Sequence, residues 1–436
     1  MYLKGSKWSV TRRRRRPNWF RIILLSLLIL GFATFNRLVV PTIQPPGVPT
    51  PTPTRPPESF VTEAQQLFAQ GKLLQAIDAY QQAIAARPDD AATYVEMAKV
   101  QVWAGKYKEA QASAENALLL NSGSSMAQAV RAWALDFQGD YLKAESGIKD
   151  ALQLDDKNGL AHAYYVEILV DSYLSGNGSF DGINTAIEES QVALSLAPDT
   201  VEAHRARGYI LEATGNYEEA IREYQAAAAI NDNIAILHLS LGINYSTMEV
   251  YDQAIEEFTR ANALNPGDPN PDLYISRTYA KVGDYAKAIQ YAETAVGDDP
   301  SNPSLRGNLG VMYYHNLLWR DALQQLSLVV NGGTAPEGEA IDAMELVPNS
   351  PRLAEYYFTY GLALARLNRC GEALKIAQTI NDRIPSDETA IANAAEVVNI
   401  CRANAEATPT TDLSQIEGTI TPTPEATETP EPTATP

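Results

Sequence analysis

One spacing recurs along most of this 436-residue chain and limits its fold more than any composition figure. A glycine is followed two residues later by an aromatic residue or leucine, and five later by alanine. The frame appears as Gly71-Leu73-Ala76, Gly105-Tyr107-Ala110, Gly139-Tyr141-Ala144, Gly215-Tyr217-Ala220 and Gly283-Tyr285-Ala288. Copies recur with a period of 34 residues. Twelve positions before the fixed alanine stands a second small residue, in the pairs Ala64/Ala76, Ala98/Ala110, Ala132/Ala144, Gly208/Ala220, Gly242/Ala254, Ser276/Ala288, Gly310/Ala322 and Gly361/Ala373. The separation of two packed helices is set by the side chains at their contact, so small residues on both partners let them cross closely. Each unit is therefore predicted to be a helix, a turn at the glycine and a second helix.

Counting by this rule gives nine units, starting near residues 57, 91, 125, 159, 201, 235, 269, 303 and 354. In the fourth the gap from Val166 to Ala186 is twenty residues, which places an insertion at about 171–182. Glu249, Leu317 and Asn368 stand where a turn glycine is expected. Between units eight and nine, about 331–353, "NGGTAPEGEAIDAMELVPNSPRL" reads as a protruding loop with a short helix in "EAIDAMEL". Residues 387–402 read as one more helix without a partner, the natural cap for the last apolar face.

The period, the central glycine and the prolines near unit ends (Pro88, Pro198, Pro266, Pro300, Pro385) resemble the tetratricopeptide repeat over about residues 58–385. The resemblance implies an all-α fold, a right-handed α-solenoid of helix-turn-helix repeats over 58–404. It also implies a concave face lined by the first helices, where a protein or peptide partner binds. Eleven residues on that face are the candidate groove: Trp103, Trp133, Phe137, Tyr164, Tyr209, Glu212, Tyr274, Arg277, Tyr314, His315 and Phe358. Asp136, Glu167, Ile243 and Lys281 map to the same face. Aromatic anchors dominate recognition hot spots, so an extended or helical peptide is the expected ligand. Stacking of sugars on the same rings is the alternative, in an accessory subunit of a glycan-handling enzyme system. Some members of the family clamp a C-terminal carboxylate with Lys and Asn at fixed places. Here those places hold Val95, Ala129, Ala163, Leu239 and Leu273, with Arg205 alone basic, so that clamp is not expected.

The ends differ from the middle. Residues 1–60 hold ten Lys or Arg against one acid, and the rest of the chain carries about −28. So acidic a body repels nucleic acid. Residues 1–18 are a basic segment, and 19–40 read as a transmembrane signal-anchor with the N-terminus cytoplasmic and the repeats outside. The uninterrupted apolar run is short, and Trp19 to Val40 would reach roughly 33 Å only if Arg21 and Arg37 snorkel. Cleavage near Ala33 and secretion is the other reading. Residues 41–57 form a Pro/Thr-rich stalk, and 405–436 a Thr/Pro/Glu-rich tail expected to be disordered.

Catalytic chemistry finds little support. The acid pairs, among them Glu218, Glu219 and Glu223, read as solvated surface. His162, His204 and His238 fall at one register in three consecutive repeats, but equivalent helices stand too far apart for one zinc to collect three imidazoles. They read as packing residues. No cofactor and no metal site is expected, and the chain is expected not to be an enzyme. Cys370 and Cys401 are predicted to meet if the cap helix returns to the last turn, so a disulfide is expected in an oxidising compartment. The sequence thus points to a membrane-anchored scaffold that assembles an extracytoplasmic or cell-envelope complex, bacterial by its Thr/Pro linkers.

Overall fold

The computed structural model describes residues 19–38, 55–179 and 181–407. The basic segment, the stalk up to residue 54 and the tail from residue 408 lie outside them. The chain divides at Pro56/Pro57 into two units. The first holds α1 (Trp19–Leu38), 20 residues whose Leu24, Leu25, Leu27, Leu28, Ile29 and Leu30 are all exposed. Arg21 and Arg37 bracket its apolar stretch, which is shorter than a ~30 Å hydrocarbon core requires. Among the described residues no helix is long and apolar enough to cross a membrane, so the spanning helix expected over 19–40 is not met.

In the second unit the repeated spacing becomes helix pairs. They are α2 (Pro57–Ala69) with α3 (Leu73–Ala86), α4 (Ala91–Trp103) with α5 (Tyr107–Leu120), and α6 (Ser125–Asp136) with α7 (Tyr141–Leu154). Next come α8 (Gly159–Leu174) with α9 (Gly182–Leu196), α10 (Val201–Ala213) with α11 (Tyr217–Ile230), and α12 (Ala235–Thr247) with α13 (Tyr251–Leu264). The last are α14 (Pro269–Lys281) with α15 (Tyr285–Asp298), α16 (Pro303–His315) with α17 (Trp319–Asn331), and α18 (Pro351–Arg366) with α19 (Cys370–Arg383). α20 (Glu388–Ala407) packs on both α18 and α19, five residues longer at its end than the expected cap. Asp90, Ser124, Asn158, Thr200, Asp268 and Asn302 each accept a backbone N–H at the start of a first helix, the role for which short polar side chains are selected there.

The turns explain the glycines. Gly71, Gly105, Gly139, Gly215 and Gly283 all have φ between +71° and +83°, a region that is costly for a side chain. Gly176 is the equivalent residue of the fourth repeat, hidden from the spacing by the insertion. Part of that insertion simply lengthens α8 to 16 residues. Glu249, Leu317 and Asn368 take the same conformation at φ 63°, 63° and 59° without being glycine. The period holds the turn where local preference opposes it, at about 1–2 kcal/mol each.

The small-residue pairs are all fully buried where they are alanine, but the glycines among them do more than meet an alanine. A Cβ on Gly208 would lie 2.9 Å from the Tyr224 ring, on Gly242 2.5 Å from Phe258, and on Gly310 2.5 Å from Leu326. Each glycine therefore seats a large side chain one turn beyond the fixed alanine.

The array is not uniformly open. α6, α8 and α10 pack directly on one another, whereas α12, α14 and α16 barely touch. The cause is legible in the first helices, which carry Ala129 and Ala163, both fully buried, in repeats three and four, but Leu239 and Leu273 at that register in repeats six and seven. The tight half curls until its start meets its middle. Asn233 Nδ2 donates to the Ala69 carbonyl at 2.9 Å, and Phe68 and Trp103 pack against the cluster around Ile234 and Leu237.

The segment between α17 and α18 is not helical as expected of "EAIDAMEL". It forms a two-stranded antiparallel ladder, Gly333–Thr334 with Ala340–Ile341, and then runs extended. Gly332 and Gly333 at φ +69° and +135° stop α17, and Ile341 and Leu346 are buried while Asp342, Ala343 and Glu345 are exposed. The apolar residues thus face inward from extended chain.

Cys370 opens α19 and is bonded to Cys401 on α20, with Cα atoms 5.5 Å apart. Replacing both by serine is expected to remove about 2–4 kcal/mol, because the bridge closes a long loop in the unfolded chain. Amide hydrogen exchange checks this. Protection should fall in α20 and stay unchanged in α10, and equal protection in both proteins would show that the bridge carries no stability.

Candidate functional site

The eleven candidate groove residues do not form one surface. Trp103, Trp133, Phe137, Tyr164, Tyr209 and Glu212 come together inside the tight half. Trp133 stacks on Tyr164 with centroids 4.3 Å apart and meets Trp103 edge-on at 5.2 Å and Phe137 at 5.9 Å. Trp133 and Tyr164 have no exposed surface at all, which corrects their assignment as partner contacts. The same burial removes Trp133 as a platform for sugars.

This interior is polar as well as aromatic. Arg205 is ion-paired with Glu167, both nearly fully buried, and its guanidinium lies 5.4 Å from the Trp103 ring and 5.9 Å from Phe137. Trp133 Nε1 donates to the other Glu167 oxygen at 2.6 Å. Burial works against the charge on Arg205, and Glu167 more than offsets it, so its pKa rises. Tyr209 donates its hydroxyl to Asp171. Glu212 accepts from Tyr224 Oη at 3.0 Å and Asn244 Nδ2 at 2.8 Å. Burial raises its pKa.

Asp136 is the exception. It is 2% exposed, and among the described residues neither carboxyl oxygen meets a donor. Burial pushes its pKa well up, and the neighbouring carboxyls of Asp171 and Glu167 push the same way. A buried carboxyl with no donor beside it is held in its neutral form, so Asp136 keeps its proton above the ordinary carboxyl range.

The three histidines prove to be latches rather than apolar packing. In each, Nδ1 meets a glutamate on the repeat's own second helix: Glu189 for His162, Glu223 for His204 at 2.7 Å and Glu257 for His238 at 2.7 Å. Nε2 meets the carbonyl of Asp156, Pro198 or Asp232 at 2.9–3.0 Å. Both partners only accept, so at His162 and His238 the ring satisfies them by carrying two protons. Burial opposes that charge at His162 and His238, but the bonds to Glu189 and Glu257 leave both pKa values raised. Glu223 is therefore a latch partner and not free surface. Among the described residues no cluster of His, Cys, Asp and Glu could hold a metal.

The other candidates lie in the open half. Tyr274 is half-buried, stacked on Phe258 at 5.4 Å, with Arg277 5.8 Å from its ring. Arg277 Nε donates to Asn308 Oδ1 at 3.3 Å. His315 is exposed and stacks on Tyr285 at 5.2 Å with Tyr314 edge-on at 5.7 Å. The Tyr285 and Tyr314 rings shield the imidazole from water on part of its surface, and this desolvation lowers its pKa, with Glu355 acting the other way. Phe358 is half-buried against the last hydrophobic cluster.

The sequence reading missed Met344, Val347, Arg352 and Tyr356. With Arg277, Ser304 and Leu353 they line an open pocket of about 520 Å³ beside α14. The irregular, proline-containing segment between repeats eight and nine was the signal for it.

A fold of stacked helix hairpins with a partly open inner face defines an α-helical repeat protein. Models of the tetratricopeptide repeat match residues 67–134, 201–234 and 275–336. No curated protein matches the chain. Among solved structures it is similar to pilF of Pseudomonas aeruginosa, at 15% identity over 56% of this chain and 99% of that one, with a TM-score of 0.43. It is similar to PilW, described as a widely conserved type IV pilus biogenesis factor, at 23% identity over 47% and 91%, TM-score 0.42. Yeast Tom70 is similar at 12% identity over 83% and 99%, TM-score 0.40.

Proposed function

We propose that this chain is a non-catalytic scaffold that binds a protein partner along the inner face of repeats six to nine, outside the cytoplasm, in assembly of a cell-envelope complex. One observation carries the reading. The tight half fills its inner face with its own Trp133, Tyr164 and Arg205, whereas the open half leaves Tyr274, Arg277, Tyr314, His315 and Phe358 at least partly accessible. Partly exposed aromatic and arginine side chains on one face are the composition of recognition hot spots.

The compartment rests on two further features. The Cys370–Cys401 bridge fits an oxidising environment. α1, with its exposed leucines next to an arginine-rich segment, suits a membrane-directing element that holds the chain at the membrane or exports it.

Photo-crosslinking in the native cell tests the groove. A benzoylphenylalanine at position 274, 314 or 358 of the full chain is expected to capture one recurring protein. The same residue at position 119, where Leu119 on α5 is 84% exposed, is expected not to. Capture from position 119 alone, or from none, would count against the reading. Loss of membrane sedimentation in a Leu25→Arg/Leu28→Arg variant would support attachment through α1, and unchanged sedimentation would oppose it.

A further inference from the structure

The pocket beside Arg277 is the part of the inner face that the repeat does not write. Its distinctive wall comes from the segment between α17 and α18, and that wall is fixed in place. Met344 N–H donates to the Val329 carbonyl at 2.8 Å, Tyr357 Oη donates to the Met344 carbonyl at 2.8 Å, and Arg383 pairs with Glu345 at 2.7 Å. The floor is fixed too. Tyr356, 2% exposed, donates to the Ser304 carbonyl at 3.0 Å. Its ring can lie there only because residue 307 is glycine, where a Cβ would stand 2.5 Å from it. Alanine, leucine or arginine occupies that register in repeats three to seven. The result is a preformed, largely apolar cleft of about 520 Å³, a size typical of ligand pockets. Val347 stands at its mouth with 44% of its surface exposed.

The charges around the cleft are unequal. Glu345 is taken by Arg383, and Glu355 by Arg352 at 2.8 Å. Arg277 bonds the amide of Asn308, lies beside the rings of Tyr274 and Tyr356, and has no carboxylate partner among the described residues. An Arg fork is suited to a carboxylate, which it can grip with two parallel hydrogen bonds.

We infer that this pocket docks a partner peptide that presents a bulky aliphatic side chain next to a carboxylate. The aliphatic group enters between Val347, Met344 and Leu353, and the carboxylate meets Arg277. The inference rests on the groove reading above and names the chemistry of its partner. A nucleic acid would bring charge that the body repels.

Selection of a displayed random-peptide library on the immobilised full chain tests it. The enriched peptides are expected to share Leu, Ile or Met adjacent to Asp or Glu. A synthetic consensus peptide should bind the full chain about tenfold more weakly after Val347→Asp and after Arg277→Gln. Leu142→Asp, at a site 77% exposed on α7, should leave binding unchanged. Val347 is exposed enough that its replacement should not disturb folding, and circular dichroism checks Arg277→Gln. Enriched peptides without a carboxylate, or binding indifferent to Val347→Asp, would overturn this inference and leave a peptide groove standing. No enrichment would remove both. Self-association of the full chain that Val347→Asp abolishes would assign the pocket to a second copy and overturn the peptide.

Discussion

Arg205→Met is expected to lower the unfolding free energy of the repeat domain by about 3–5 kcal/mol, because it leaves Glu167 charged, buried and unpaired. The pair sits between α8 and α10, with Trp133 donating to the same carboxylate and the Trp103 ring against the guanidinium. Removing the cation therefore disturbs four first helices at once, α4, α6, α8 and α10. Adding Glu167→Gln should recover most of the loss, since the amide oxygen still accepts from Trp133 and no lone charge remains. Denaturant unfolding of the full chain followed by tryptophan emission measures both variants. A single-variant loss below about 1 kcal/mol would mean the pair is solvated and the tight half more open than described, since exposed pairs contribute no more than that.

Stability should also fall as pH rises from about 4 upward. Asp136 holds its proton in the folded protein well above the ordinary carboxyl range, chiefly because it is buried and then because Asp171 faces it. The folded chain therefore binds more protons than the unfolded chain between the two pKa values, and stability is lost across that interval at up to about 1.4 kcal/mol per pH unit for this one group. Below the unfolded pKa the contribution is complete. Asp272, Glu202 and Glu212 are raised by burial, and His162 and His238 by their glutamate partners against burial, so all act in the same direction. Asp136→Asn isolates this group, because its amide fills the same space and does not titrate. The difference in thermal midpoint between the native chain and Asp136→Asn should change with pH in favour of the variant as pH rises. Parallel curves would show that Asp136 is not held as the acid.

Much of the fold could be read from the spacing alone. Gly71, Gly105, Gly139, Gly215 and Gly283 are turn glycines for a backbone reason, and the paired small residues mark where each hairpin closes. The inner face was legible in membership but not in exposure. Sequence spacing says which residues share a helix face, whereas exposure depends on how far neighbouring repeats tilt, and that is decided by pairs such as Ala129 and Ala163 against Leu239 and Leu273. Those four positions read as the absence of a carboxylate clamp, while their sizes carried the information on curvature. Arg205 looked like the one cation of such a clamp, yet its charge is spent inside on Glu167. The irregular segment before α18 has no period to read, so Met344 and Val347 could be placed only by the structure.

The contact between Ala69 and Asn233 changes how the array can come apart. In a linear stack each repeat depends on its neighbours alone, so the ends fray one unit at a time. A bond across 164 residues ties the first repeat to the sixth, and the first cannot leave without breaking the seam. Repeats one to six then behave as one cooperative block closed by a long loop, the kind of contact that forms late in folding. Gradual loosening is left to the repeats beyond the seam, which are also the ones whose inner face is open.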